Sequence, residues 1–297
     1  MKKILVTISL AVLAIQAAFA VPAQPTEAEQ AALRKAFEEI RPQTGAVVLK
    51  DNLATLNVPE GLQFLSKKDA ELILVKIWGN PPESVGNALG MLVTSPRAAV
   101  SEGGWGIVVT YTEDGHIDDA DAMKTDYTAL LKTMQEGIEG ANKERAKGGY
   151  SAMSLKGWAE PPHYDAEAHK IYWAKELAFE GHTDNTLNYC TRILGRRGVL
   201  ELNAVASISD LPVIREQVQK TISQVDFNTG HRYADFNHTT DKMATYGVAA
   251  LVAGGVAGKM GLFKVILGVL IAAKKIVIVG IFAVYAGIKK MFTKTKE

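Results

Sequence analysis

The C-terminal stretch of this 297-residue chain restricts its fold more than any other segment. From Tyr246 to Phe292 there is no Asp, Glu or Pro, and apolar residues dominate. Two apolar blocks, Val265 to Ala273 and Ile276 to Ile288, are separated only by Lys274 and Lys275. A helix rises about 1.5 Å per residue, and a bilayer core is about 30 Å thick. The second block alone is therefore short for a span. A single helix over 262–288 is long enough, but it carries both lysines near mid-membrane. Each lysine costs about 2.5–3.5 kcal/mol there, against about −0.3 to −0.6 kcal/mol for each Leu, Ile, Val or Phe. The apolar residues of the stretch roughly offset the pair. One tilted transmembrane helix is the expected anchor. A hairpin bent at the lysines, an interfacial helix with a short span, and a buried core helix pair are the alternatives.

Charge favours the membrane reading. Residues 241–297 hold nine Lys against two acids, a net of +7. Residues 21–240 hold 22 Lys and Arg against 30 Asp and Glu, a net of −8. A basic, acid-poor apolar tail on an acidic body suits contact with anionic lipid. The same acidic body argues against a nucleic-acid partner.

The front end reads as an export signal. Lys2 and Lys3 precede an apolar run from Ile4 to Ala20. Ala18-Phe19-Ala20 supplies the small residues of a cleavage site, which places the mature start at Val21. The alternative is a retained N-terminal anchor. With export and one span, the lysine-rich end faces the cytoplasm. The body then lies in the periplasm or outside the cell, held at the inner membrane. Cys190 is the single cysteine, so no internal disulfide forms.

The body alternates helix and strand signals. Thr26 with Glu29 is a capping box opening a helix to about Ile40. Asp51-Asn52 between apolar runs marks a hairpin over 45–58. Ser66 with Asp69 opens a helix through Ile77, and strands are expected over 91–95 and 105–113. Tyr127, Leu130, Leu131, Met134 and Ile138 have helical spacing within 120–145. Four strands follow over 154–158, 169–179, 186–194 and 199–208, then a helix to about Val225. The expected class is α+β, mixed helices with an antiparallel meander. Two regions, 21–148 and 149–240, divide near Gly148. A single mixed core would read much the same way. A small-residue juxtamembrane helix over 241–261, the anchor over 262–288 and a basic tail over 289–297 complete the chain.

Chemistry-bearing patterns are sparse. No P-loop, G-x-G-x-x-G, G-x-S-x-G or H-E-x-x-H is present. Neither a catalytic nor a metal site is assigned, and no cofactor is expected. The acids Asp114, Asp118, Asp119 and Asp121 lack the spacing of a calcium loop and read as helix N-terminal acids. Cys190 with His182 or His169 would be a thiol nucleophile and base. As a strand residue opposite Leu187 and Tyr189, it reads instead as packing. Arg192, Arg196 and Arg197 either bind an anion or pair with the surplus carboxylates. Trp158, His163, Tyr164 and Trp173 form the densest aromatic stretch, either a ligand groove or core. Gly254 and Gly258 have the spacing that lets helices approach closely in lipid, which would support a homo-oligomer. Small residues packing on the chain's own body are the alternative.

A set of motifs carries a family resemblance. They are Gly157-Trp158 with Pro161 to Asp165, His169 with Trp173, and Leu187-Asn188-Tyr189 running to Leu194-Gly195-Arg196. Tyr233-Ala-Asp-Phe236, Asp241-Lys242, Gly104-Trp105 and Asp114-Gly115 join them. From about Gly45 to Lys290 the chain resembles the bacterial membrane-anchored proteins of domain of unknown function 2167. The resemblance implies a secreted, C-terminally anchored envelope protein, and it implies no reaction. The meander and helix also look like the α+β domains of photosystem-associated extrinsic proteins, in fold only. The expected function is a non-enzymatic binding or assembly module outside the cytoplasm, with the lipid bilayer and an envelope protein or ligand as partners. An envelope hydrolase or thiol enzyme using Cys190, and an oligomeric membrane assembly protein, are the alternatives.

Overall fold

The computed structural model describes residues 27–254 apart from 79, 81 and 148–150. The expected signal with its Ala20–Val21 cleavage point, the membrane anchor over 262–288, Gly258 and the basic tail lie outside the described residues. Among those described, no helix is long and apolar enough to cross a membrane.

The chain begins with α1 (Glu27–Glu38) and a hairpin of β1 (Gly45–Leu49) and β2 (Ala54–Val58). Its turn places Lys50, Asp51 and Asn52 at φ 24, 48 and 61°. Asp and Asn tolerate that left-handed region, which is why the pair signals a turn. β3 (Gln63–Ser66) leads into α2 (Lys67–Glu71), where the Ser66 side chain accepts from Asp69 N–H. The helix continues as a π-helical stretch, Leu72–Ile77. β4 (Ala88–Val93), the short α3 (Pro96–Ala99) and β5 (Gly106–Thr112) follow. A long loop then precedes α4 (Tyr127–Lys147).

The meander is β6 (Met153–Asp165), β7 (Lys170–Phe179), β8 (Thr186–Leu194) and β9 (Val199–Ser207). α5 (Leu211–Ile222), β10 (Val225–Phe227) and α6 (Val248–Ala253) complete the described chain.

Two antiparallel sheets result, one ordered β1-β2-β10 and a seven-stranded one ordered β3-β4-β5-β9-β8-β7-β6. β5 pairs with β9 from Gly106↔Val205 to Thr112↔Val199. The large sheet therefore runs straight across the division expected near Gly148, and the body has a continuous sheet rather than two separate regions. Strand alternation sorts its side chains onto two faces. Leu187, Tyr189, Leu200, Leu202, Ile107 and Val109 pack with the small sheet and α5. On the opposite face, Leu65, Met91, Val93 and Val108 pack against α1, α2 and the π-helical turn. Further along that second face, Ile171, Trp173, Cys190 and Leu194 pack against α6 and the start of α4.

Two boundaries differ from expectation. α4 begins at Tyr127 rather than Ala120, because Asp126 Oδ1 accepts from Thr128 N–H and Ala129 N–H at 2.9 and 3.0 Å and so caps it there. The juxtamembrane helix expected from 241 is confined to Val248–Ala253 within the described residues. Gly254 ends it at φ 101°, as a left-handed C-cap. Gly254 therefore sits at a helix end instead of on a helix face. Val248, Leu251 and Val252 are buried against the body.

Candidate functional site

The acid run after β5 is a loop whose carboxylates go to separate partners. Asp114 Oδ2 accepts from Tyr246 O–H at 2.7 Å, and Asp118 Oδ1 accepts from Ala120 N–H at 2.8 Å. Asp121 accepts from Val248 N–H at 2.9 Å and Ala249 N–H at 3.1 Å, capping α6 across the chain. Asp119 turns inward to the β6–β7 turn. These acids do not converge on one point, and they do not start α4. Among the described residues no group of His, Cys, Asp and Glu is arranged to hold a metal.

Around Asp119 the sequence gathers a polar knot. Tyr164 O–H donates to Asp119 Oδ2. His169 Nδ1 lies 3.1 Å from the same oxygen and 3.3 Å from the Tyr164 hydroxyl. Burial works to raise the Asp119 pKa, but the hydrogen bonds from Tyr164 and His169 outweigh it and hold the carboxyl below its ordinary value. Burial and the bond to Asp119 push the Tyr164 phenol well above the ordinary tyrosine value. His169 closes the turn between β6 and β7 at φ 50°. Left-handed backbone in a residue with a Cβ costs about 1–2 kcal/mol. Asp165 Oδ1 shapes the turn by accepting from Glu167 N–H and Ala168 N–H, both at 3.0 Å.

Aromatic rings run on from this knot. His169 stacks on Tyr233 with ring centroids 3.9 Å apart, and Tyr233 meets His116 at 4.2 Å. His116 stacks on Phe236 at 4.0 Å, and His238 meets Phe236 edge-on at 4.7 Å. Three imidazoles thus alternate with two benzenoid rings. Burial lowers the His116 pKa below 6.5, and its buried Nδ1 makes no hydrogen bond among the described residues. Tyr233 donates to Ile117 O at 3.0 Å, and its pKa is pushed up to about 12 by burial and the Asp119 charge.

The same region fixes the segment that leads toward the tail. His116 N–H donates to Lys242 O at 2.8 Å, and Ala244 N–H donates to His116 O at 2.7 Å. Gly115 is required beside them: its φ is 105°, and a Cβ there would lie 2.7 Å from Lys242 O. Arg196 makes a two-pronged pair with Asp241, Nε to Oδ2 at 2.6 Å and Nη2 to Oδ1 at 3.1 Å. Arg197 Nε adds a third bond at 3.1 Å. The Asp241 side chain is fully covered, and the Arg196 guanidinium holds its carboxyl far below the usual range.

The aromatic stretch singled out in the sequence does not line one groove. Trp173 is 1% exposed and belongs to the core. Trp158 Nε1 donates to Tyr127 O at 3.1 Å and fastens β6 to α4. His163 is exposed and packs beside Tyr172, on the sheet face away from Trp173. Of the four, only Tyr164 enters the knot. Cys190 is 3% exposed, and its Sγ–H points to Asn188 Oδ1 at 3.1 Å. No histidine partners it among the described residues, which overturns the thiol-nucleophile reading. Arg192 pairs with Glu201 at 3.0 Å, so all three arginines answer carboxylates.

A family model described as "Protein of unknown function (DUF2167)" matches residues 41–285. The chain belongs to this family. No curated protein matches. Among solved structures, the chain is similar to cyanobacterial PsbP (CyanoP) from Synechocystis sp. PCC 6803 at 7% identity, covering 64% of this chain and 92% of that one, with a TM-score of 0.35. It is also similar to the Saccharomyces cerevisiae Ran-binding protein Mog1p at 10% identity, covering 67% of this chain and 100% of that one, with a TM-score of 0.34. Likenesses at this level carry no argument about the site.

Proposed function

We propose that the chain is a membrane-tethered binding or assembly module whose acidic body works outside the cytoplasm. One observation carries the reading: the body grips the approach to the apolar tail at every turn. Lys242 and Ala244 pair with His116, Asp241 is held by two arginines, Tyr246 by Asp114, and α6 by Asp121. A disposable linker needs no such grip, whereas a body that must hold a defined attitude to a membrane does. The opposed charges of body and tail, and the signal-like front end, support the same reading. The ring stack beside this grip presents His169 and Asp119 partly to solvent, at 30 and 27% side-chain exposure, as the surface for a partner.

Fractionation tests the tether. Full-length protein is expected in the membrane pellet, resistant to high salt and alkaline carbonate and released by detergent. A chain ending at residue 254 is expected in the periplasmic extract. Full-length protein in the soluble fraction would refute the proposal.

A further inference from the structure

Outside the knot, the sheet face that carries Cys190 holds a run of polar side chains where a core-facing sheet normally has none. Cross-strand pairing sets their neighbours: Trp158↔Lys175↔Asn188 in one row, Trp173↔Cys190↔Asn203 in the next, and Arg192↔Glu201 in the third. Direct cross-strand partners share a face. Arg192, Asn188 and Trp173 are 4, 1 and 1% exposed.

Their hydrogen-bond ledger does not close. Arg192 Nη1 reaches Thr191 O at 2.9 Å and Asn203 Oδ1 at 3.2 Å, and Nη2 reaches Glu201 at 3.0 Å, but among the described residues Nε is buried without an acceptor. Trp173 Nε1 is likewise buried without an acceptor, although the Arg192 guanidinium lies 5.3 Å from its ring centre. Lys175, half-buried two residues along the same strand face, makes no hydrogen bond or ion pair among the described residues. Burial pushes its ammonium below the ordinary lysine value, and the Arg192 charge adds to the shift. Glu201 answers Arg192, and Asp114 is taken up by Tyr246. No acid answers Lys175 among the described residues. Buried donors lacking acceptors are rare in folded proteins, because each forfeits about 1–3 kcal/mol of lost solvation. Two such N–H groups on one face, with the half-buried Lys175 ammonium two residues along from Trp173, are what an absent group of oxygen acceptors would leave.

We propose that Lys175, with Trp173 and Arg192, binds an oxyanion, the carboxylate or phosphate group of a small ligand, on this face of the seven-stranded sheet. The Lys175 ammonium supplies the charge, the indole and guanidinium N–H groups supply direction, and Asn188 borders the site. The inference is independent of the tether, and the alkyl and indole walls of Lys175, Trp158 and Trp173 favour an organic acid over a bare ion.

The test uses full-length protein in mild detergent, with inorganic phosphate and succinate as probes and chloride at matched ionic strength as the control. Tryptophan fluorescence and melting temperature report binding. Saturable binding of either probe, absent with chloride, is expected. Lys175→Met is expected to weaken it at least about tenfold, the worth of one charge-assisted hydrogen bond, and Lys175→Arg to retain it. In the ligand-free state Lys175→Met should melt no lower than the parent, since it removes a charge that burial penalises. A parallel measurement needs no variant: acylation of Lys175 by an N-hydroxysuccinimide ester, mapped by mass spectrometry, should be slowed by the bound probe. Succinate stronger than phosphate assigns a carboxylate ligand, and the reverse assigns a phosphorylated one. Absence of saturable binding, binding undiminished in Lys175→Met, or unprotected Lys175 each overturns the proposal, as does an adventitious ion only.

Discussion

Asp121→Ala isolates the grip on the approach to the tail. The carboxylate accepts from Val248 N–H and Ala249 N–H, and the N-cap position itself, Gly247, has no side chain to replace it. Losing an N-cap costs about 1 kcal/mol, and hydrogen bonds to a charged group are worth about 1.5–3 kcal/mol. We take about 2 kcal/mol for the pair, because Val248 is fully buried and its amide cannot turn to water. For a body of this size, about 1 kcal/mol moves the melting temperature by about 2–4 °C. The variant should therefore melt about 4–8 °C lower in detergent. Hydrogen exchange at Val248 and Ala249 should speed by up to about thirtyfold if α6 opens as a local unit. Gly247 supplies an internal check. A Cβ there would lie 2.6 Å from Asp121 Oδ2, so Gly247→Ala should destabilise the parent but cost much less in Asp121→Ala. Unchanged melting and exchange in Asp121→Ala, or equal costs of Gly247→Ala in both backgrounds, would refute the reasoning.

Further outcomes follow from the same geometry. His116, Asp119 and Asp241 all have folded pKa values below their ordinary ones, so the stability they contribute is present above those ordinary values and lost as pH falls through the folded ones. Chemical denaturation at stepped pH should show a first loss below about 6.5, from His116, and a second below about 4, from the two carboxylates; flat stability from pH 7 to 4 would contradict it. His169→Gly should be more stable than His169→Ala by about 1 kcal/mol, since both lose the imidazole but only glycine accepts φ 50° freely; equal melting would remove the strain argument. Trp173→Ala should cost about 3–5 kcal/mol by the cavity it leaves, read from denaturant midpoints.

The local elements were legible because local chemistry sets them. Asp51-Asn52 marked a turn whose two residues sit in the left-handed region, and Ser66 with Asp69 marked a capped start. The Leu187/Tyr189 against Asn188/Cys190 alternation read the β8 faces correctly. The failures are non-local. Asp126 capped α4 about two turns beyond where the acid run pointed, and Asp121 was claimed by a helix 127 residues further on. The knot joins Asp119 to His169 across 50 residues, and Tyr233 to Ile117 across 116. No spacing rule connects such pairs. Their only trace in the sequence was that His169 and Tyr233-Ala-Asp-Phe236 stood among the family motifs. Strand register then sent His163 away from Tyr164 and sank Trp173 into the core, breaking up a groove that linear proximity had suggested.

Protease added to intact spheroplasts meets the central claim head-on. Residues 27–254 should be digested or released without lysis, leaving a small membrane-embedded fragment that reacts with an antibody to the C-terminal lysine-rich peptide only after permeabilisation. A body that survives until the cells are broken would contradict it.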